Sequence, residues 1–329
     1  MEWDLVTGGA GFIGSHLVDE LLRQGRKVRV VDNFASGHPR NLEHQRGNRA
    51  LEVIEGDVAD QKHMLAVTEG VDRVFHLAAM ADIVPSIQKP DAYFRSNVDG
   101  TYAVCEAARA HQVRRFVYVA SSSCYGIPEV YPTPEDTRPD ARYPYALTKW
   151  LGENVVMHWA KIYGLPAVSV RFFNIYGPRA RTSGAYGAVF GVFLAQLLAG
   201  KPLTIVGNGE QSRDFTYVSD AADALITAAS SSVCGEIYNV GTSRPVTVNE
   251  IVRLLGAKET IYIPKRPGEP DCTWADTSRI QRDLGWTPKV PIEVGVAKML
   301  ENIEYWREAP VWTPDSIREA TADWFKYLR

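Results

Sequence analysis

A chain of 329 residues, 45% apolar and 23% charged, is long enough to bury a sizeable core, as a large single domain or a small two-lobed protein. A formal net charge of −3 without a long basic block argues against nucleic acid or an anionic membrane as the main partner. Four widely spaced cysteines, no CxxC and no His pair at ligand spacing point to reduced cytoplasmic thiols and to no metal site.

The opening "MEWDLVTGG" enters a strand at once and leaves no room for a signal peptide. Strands are expected at "DLVTG" (4–8), "KVRVVD" (27–32), "LEVIEGD" (51–57), "RVFHLAA" (73–79), "RFVYVASSS" (115–123) and "AVSVRFFN" (167–174). The segments between them, such as "FIGSHLVDELLRQG" (12–25), carry apolar residues at three- and four-residue spacing and read as helices. Such alternation predicts an α/β fold with a doubly wound parallel sheet, covered on both faces. The apolar run "AVFGVFLAQLLAG" (188–200) is interrupted by Gly191 and Gln196 and is too short to span a bilayer. After about residue 175, Gly and Pro become frequent ("YGPRARTSGAYG", "IPKRPGEPD", "GWTPKVP") and the order of elements is mixed. The expected division is a Rossmann-type domain over 1–174 and a smaller mixed α/β lobe from 175–212 and 242–329. Residues 213–241 would return to the main sheet as strand, helix and strand. The crevice between the lobes is the expected ligand site.

"TGGAGFIG" (7–14) follows a strand and opens a helix, with Gly8, Gly11 and Gly14 in the turn. A pyrophosphate approaches only a backbone without side chains, and a helix N-terminus offers free N–H groups and positive dipole. Asp32 lies at the end of the next strand, where a carboxylate accepts hydrogen bonds from an adenosine ribose and repels a 2′-phosphate. No Arg stands beside it in "DNFAS", so NAD is favoured over NADP. Asp57, ending the third strand, would touch the adenine or simply form a turn.

Chemistry on a nicotinamide needs a group that takes a hydroxyl proton as hydride leaves the same carbon. A tyrosine titrates near 10, and bringing it to about 7 takes roughly 4 kcal/mol of differential stabilisation, which a neighbouring ammonium in a desolvated site supplies. "YPYALTK" (143–149) contains two tyrosines. Pro144 suits the first turn of a helix, so Tyr145 and Lys149 are i and i+4 on one face, while Tyr143 stands outside that register. The serines of "SSSCYG" (121–126) follow an apolar strand, at the sheet end where ligands bind in parallel sheets.

In order along the chain, "TGGAGFIG", Asp32, "GDVAD", "HLAA", "SNVDGT", "SSSCYG", "YALTK", "RFFNIYGPR", "RDFTYV" and "RPGEPD" resemble the extended short-chain dehydrogenase/reductase family, and within it the nucleotide-sugar C4-epimerases. The resemblance runs from about residue 4 to residue 290. It implies Ser121, Tyr145 and Lys149 as the catalytic set. It also implies Phe12, Ile13, Asn33, Val58, Leu77, Ala78, Ala79 and Asn97 as further cofactor-site residues, with Asn97 supporting the active-site helix. Ser122, Ser123, Asn174, Arg213, Arg266 and Thr273 would serve the substrate, the arginines by clamping its ribose and diphosphate. The Asp–Glu pair of the related dehydratases is replaced by Ser122 and Ser123, and "AAMADIVPS" (78–86) offers Asp82 where uronate enzymes place basic groups. A small Thr273 leaves room for N-acetylated sugars. Gly191 stands where the family often has proline. The implied partner is a nucleotide sugar; the helices at 98–111 and from Pro144 carry apolar residues on more than one face, and the resemblance, in which such helices form a four-helix dimer interface, implies a homodimer. The tail 309–329 lies beyond the resemblance, and its two Trp are expected to cap the small lobe.

Overall fold

The computed structural model describes residues 3–180 and 189–328, so the stretch 181–188 of the Gly/Pro-rich segment lies outside the described residues. Twelve strands are described: β1 (Trp3–Thr7), β2 (Lys27–Asp32), β3 (Leu51–Glu55), β4 (Val71–His76), β5 (Arg115–Ser121), β6 (Ala167–Phe172), β7 (Asn174–Tyr176), β8 (Leu203–Val206), β9 (Ser212–Tyr217), β10 (Ile237–Val240), β11 (Pro245–Thr247) and β12 (Thr260–Ile263). Seven form one sheet in the order β10-β6-β5-β4-β1-β2-β3, with parallel pairing throughout. The doubly wound α/β architecture expected from the strand–helix alternation is borne out.

Its central strands are continuous apolar runs because both faces are covered. Helices Phe12–Arg23 and Val218–Ser230 pack on one face through Leu17, Leu21 and the small residues Ala221, Ala224 and Ala228. Helices Gln61–Val67, Gly100–Ala110 and Pro144–Tyr163 cover the other through Met64, Val104, Ala108 and Val156. Strand order reverses between β1 and β4, and in open parallel sheets the ligand crevice lies beyond the strand ends at that switch. The glycine turn after Thr7, Asp32 at the end of β2 and Ser121 at the end of β5 all face that edge.

The second lobe holds a three-stranded sheet, β11-β9-β7, and the parallel pair β12-β8. Its core is aromatic: Tyr176 stacks on Phe190 with ring centroids 4.7 Å apart, and Phe215, Tyr217 and Trp306 close around them. This corrects one expectation. The strand beginning at Ser212 does not return to the main sheet; it pairs with β7 and β11 because alternation sends Phe215 and Tyr217 into the aromatic core. The helix and strand that follow it do join the main sheet.

Among the described residues no helix is long and apolar enough to cross a membrane, and no group of His, Cys, Asp and Glu could hold a metal ion. All four cysteines are free.

Candidate active site

A cavity of about 880 Å³ runs along the carboxyl edge of the main sheet and into the second lobe. Its floor at one end is the glycine turn. Gly8 has φ +70°, and a Cβ there would lie 2.8 Å from the Ala78 nitrogen; a Cβ on Gly14 would run into the Gly8 carbonyl. Only glycine fits this turn, and Phe12 opens the helix behind it with its free N–H groups toward the cavity.

The Asp32 carboxylate accepts from the Ala10 and Phe34 backbone N–H groups at 3.0 and 2.9 Å. Burial raises its carboxyl above the usual range while those two donors oppose the rise. Asn33, Val58, Leu77, Ala78 and Ala79 complete this end. Asp57 lines it too, pairing with Arg95 at 2.9 Å and accepting from Ala59 N at 2.9 Å. A bare-backbone cradle at a helix N-terminus, with an acceptor-only carboxylate beyond it, fits a dinucleotide such as NAD.

Asn97 is corrected. It does not line the cavity: it is 1% exposed, its Oδ1 accepts from Met80 N at 2.7 Å, and its Nδ2 donates to Met80 O and Thr148 Oγ1, both at 3.0 Å. Sitting in a π-helical turn, Arg95–Asp99, it ties the loop after β4 to the active-site helix and so positions its neighbours.

The reactive cluster stands at the middle of the cavity. Helix Pro144–Tyr163 begins with Pro144 in its first turn, which puts Tyr145 and Lys149 on one face toward the cavity. The Ser121 oxygen accepts from Ser123 N at 3.2 Å and Ser123 Oγ at 2.8 Å, which directs its own hydrogen elsewhere. Burial raises the Tyr145 phenol above its ordinary 10, the hydrogen bond with Ser121 opposes that rise, and the charge of Asp82 adds to it. Lys149 is 4% exposed; one ammonium hydrogen goes to the Val119 carbonyl at 2.5 Å, and the group lies 4.5 Å from the Tyr118 ring centre. Burial lowers this ammonium to about 7, against the opposing charge of Glu153. Tyr143 stacks on Tyr145 at 6.4 Å with an 11° interplanar angle, so the tyrosine outside the register still shapes the site.

The depressed Lys149 pKa has a sign that can be measured. Between about pH 7 and the unfolded value near 10.4, the unfolded chain holds a proton that the ligand-free folded chain has released, so this group makes stability rise with pH. Its destabilising effect is fully present below pH 7. Lys149→Met should remove a slope of up to about 1.4 kcal/mol per pH unit, read as the difference between urea denaturation series of the two proteins from pH 7 to 9.

Toward the second lobe, Ser122 and Ser123 line the cavity beside Asn174, whose Oδ1 accepts from Thr273 Oγ1 at 2.8 Å. Arg213 and Arg266 meet on one carboxylate, Glu269, at 2.8 and 3.7 Å. Sequence reasoning did not single out Glu269; its place three residues after Arg266 in "RPGE" was the available signal. Nor did it foresee that Trp312, Thr321 and Trp324 of the tail would line the same cavity.

The profile of the NAD-dependent epimerase/dehydratase family matches residues 5–241. A UDP-glucose 4-epimerase from Mycolicibacterium smegmatis is 36% identical over 304 residues, covering 90% of this chain and 97% of that protein. The UDP-glucose 4-epimerase of Thermotoga maritima, solved with UDP-glucose, superposes with a TM-score of 0.86 at 35% identity, over 93% of this chain and 99% of that one. The UDP-glucuronic acid 4-epimerase of Bacillus cereus, solved with UDP-glucuronic acid and NAD, gives 0.85 at 31% identity over 92% and 99%. These relatives are spanned almost end to end, while this chain carries residues beyond them. With the motif resemblance, the glycine cradle and these matches in agreement, the chain belongs to the NAD-dependent epimerase/dehydratase family.

Proposed function

We propose that this protein is a nucleotide-sugar 4-epimerase acting on UDP-glucose and UDP-galactose or their N-acetylated forms through a transient 4-keto sugar. The observation that carries the reading is one cavity joining the glycine cradle, the Ser121–Tyr145–Lys149 cluster and the Arg213–Arg266 pair. Bound in the cradle, NAD supplies reversible two-electron oxidation at the sugar carbon. Tyr145 takes the C4 hydroxyl proton and gives it back to the same oxygen once the keto sugar has turned its opposite face to the cofactor site. Ser121 hydrogen-bonds the same oxygen. The Lys149 ammonium favours the phenolate. Arg213 and Arg266 face the diphosphate that anchors the sugar, since a guanidinium fork matches phosphate oxygens.

The sugar is neutral in this reading. Asp82 lines the cavity and its charge reaches Tyr145, so a sugar carboxylate there meets like charge. The nearby Arg142 lies against Asp140 at 3.3 Å. Ser122 and Ser123 supply hydroxyls where water elimination needs a carboxylic acid and a base. Incubating the purified protein with a panel of nucleotide sugars and resolving epimers by NMR tests this: UDP-glucose should yield UDP-galactose without net NADH formation. Stoichiometric NADH consumption on a keto-sugar, or turnover of UDP-glucuronic acid alone, would replace the assignment.

We also infer a homodimer in the cytoplasm. Helices Gly100–Ala110 and Pro144–Tyr163 leave Tyr102, Ile162 and Tyr163 between 37% and 56% exposed, a patch that two copies would cover together. Light scattering should return twice the chain mass; a monomer at micromolar concentration removes this inference. Four free cysteines support a reducing compartment.

A further inference from the structure

The C-terminal segment crosses the cavity from one lobe to the other. At its start, the Trp312 carbonyl accepts from Gln196 Nε2 at 2.7 Å, on a helix of the second lobe. In its middle, helix Pro314–Ala320 buries Ile317 to 2% exposure behind a Thr313–Ser316 capping box. At its end, helix Ala322–Tyr327 packs against helix Ile83–Gln88 of the large lobe, where Gln88 Nε2 donates to Asp323 Oδ2 at 2.8 Å.

Trp324 is the pivot of this crossing. It is 6% exposed, and its indole N–H donates to the Pro267 carbonyl at 2.7 Å. Its ring carries the Arg266 guanidinium, 5.3 Å from the ring centre. Arg266 thereby faces the cavity beside Arg213, and both arginines reach Glu269.

We propose that Trp324 is a positioning residue for substrate binding: it holds the Arg266 guanidinium against its ring so that Arg266 and Arg213 meet a nucleoside diphosphate already ordered. An arginine loses substantial rotamer freedom when it is fixed, and a guanidinium stacked on an aromatic face is fixed before the ligand arrives. The indole–Pro267 bond sets the ring, and the ring sets the guanidinium. The tail thus belongs to the binding site. The proposal rests on the nucleotide-sugar reading for the class of ligand only.

The test titrates uridine diphosphate into NAD-loaded protein by calorimetry. Trp324→Leu keeps an apolar side chain but removes the aromatic face, and should weaken UDP about tenfold, the scale of a desolvated cation–π contact. Trp324→Phe keeps an aromatic face but loses the indole–Pro267 bond, and should fall between wild type and W324L. Both should retain the wild-type NAD content. In turnover, W324L should raise KM and spare kcat. The double variant R266A/W324L should bind no worse than R266A, because the two residues act as one unit. Arg266→Lys leaves the tail untouched and should lose a similar factor, which keeps the proposal exposed if W324L does not fold. UDP affinity unchanged in W324L or in R266K, W324F as weak as W324L, or full additivity of W324L with R266A would each overturn it. Wild-type protein that binds UDP but epimerises nothing removes the epimerase reading alone; wild-type epimerisation with W324L unaffected removes this inference alone.

Discussion

Tyr145→Phe is expected to lower kcat about a thousandfold while leaving folding and NAD content intact. The phenol oxygen is the atom that takes and returns the proton, and a positioned acid/base contributes about 10²–10⁴ in rate. Phenylalanine keeps the ring, which stacks on Tyr143 at 6.4 Å and meets Tyr93 edge-on at 6.5 Å, so the packing that orders this corner survives. The loss is confined to one hydroxyl and its bond to Ser121. KM should move little, because the arginines that hold the diphosphate are untouched. Tyr143→Phe is the matched control: it removes a hydroxyl from the same stack, but from a residue that precedes the helix and stands outside the Lys149 register, and it should cost less than tenfold. Steady-state kinetics on both variants decide the matter. Substantial turnover by Y145F, or equal damage in Y143F, would end the assignment of Tyr145 as acid/base.

The contrast between those tyrosines was legible in the sequence because it depends on local geometry. Pro144 starts the helix, and a four-residue spacing puts two side chains on one face whatever the rest of the chain does. The glycine turn and Asp32 were legible for the same reason, each being defined by its distance from an apolar strand. What escaped is non-local. The strand over 212–217 alternates like any half-buried strand, and nothing within it says that its partners are β7 and β11. For Asn97 only the family resemblance tied the residue to the active-site helix; its amide partners Met80 and Thr148 lie 17 and 51 positions away, where no local pattern reaches. The cavity face of Trp324 depends on Pro267, 57 residues earlier. Periodicity reports which face of an element is buried; it does not report against what.

Arg171→Met is the second variant with a large expected effect, and it links fold to chemistry through the active-site helix. Arg171 on β6 and Glu153 on helix Pro144–Tyr163 form an ion pair at 2.5 Å with side chains 4% and 3% exposed. Ser169 Oγ adds a donor to the carboxylate at 2.7 Å, and the guanidinium also reaches the Tyr125 hydroxyl and the Glu135 carbonyl. The pair's net worth is modest, because both ions give up water, but removing one partner strands the other charge in the core at a cost of about 3–5 kcal/mol. R171M should therefore lose about that much in urea denaturation, and R171M/E153Q should recover part of it by discharging the stranded carboxylate. Loss of less than about 1 kcal/mol in R171M would mean that the pair is solvated and does not pin the helix. Glu153 lies one turn beyond Lys149, and its negative charge holds the Lys149 pKa up against burial. Glu153→Gln should let that pKa fall, so the ammonium that favours the Tyr145 phenolate is lost at lower pH. The alkaline limb of kcat/KM should move to lower pH in E153Q, a shift that a purely structural helix clamp would not produce.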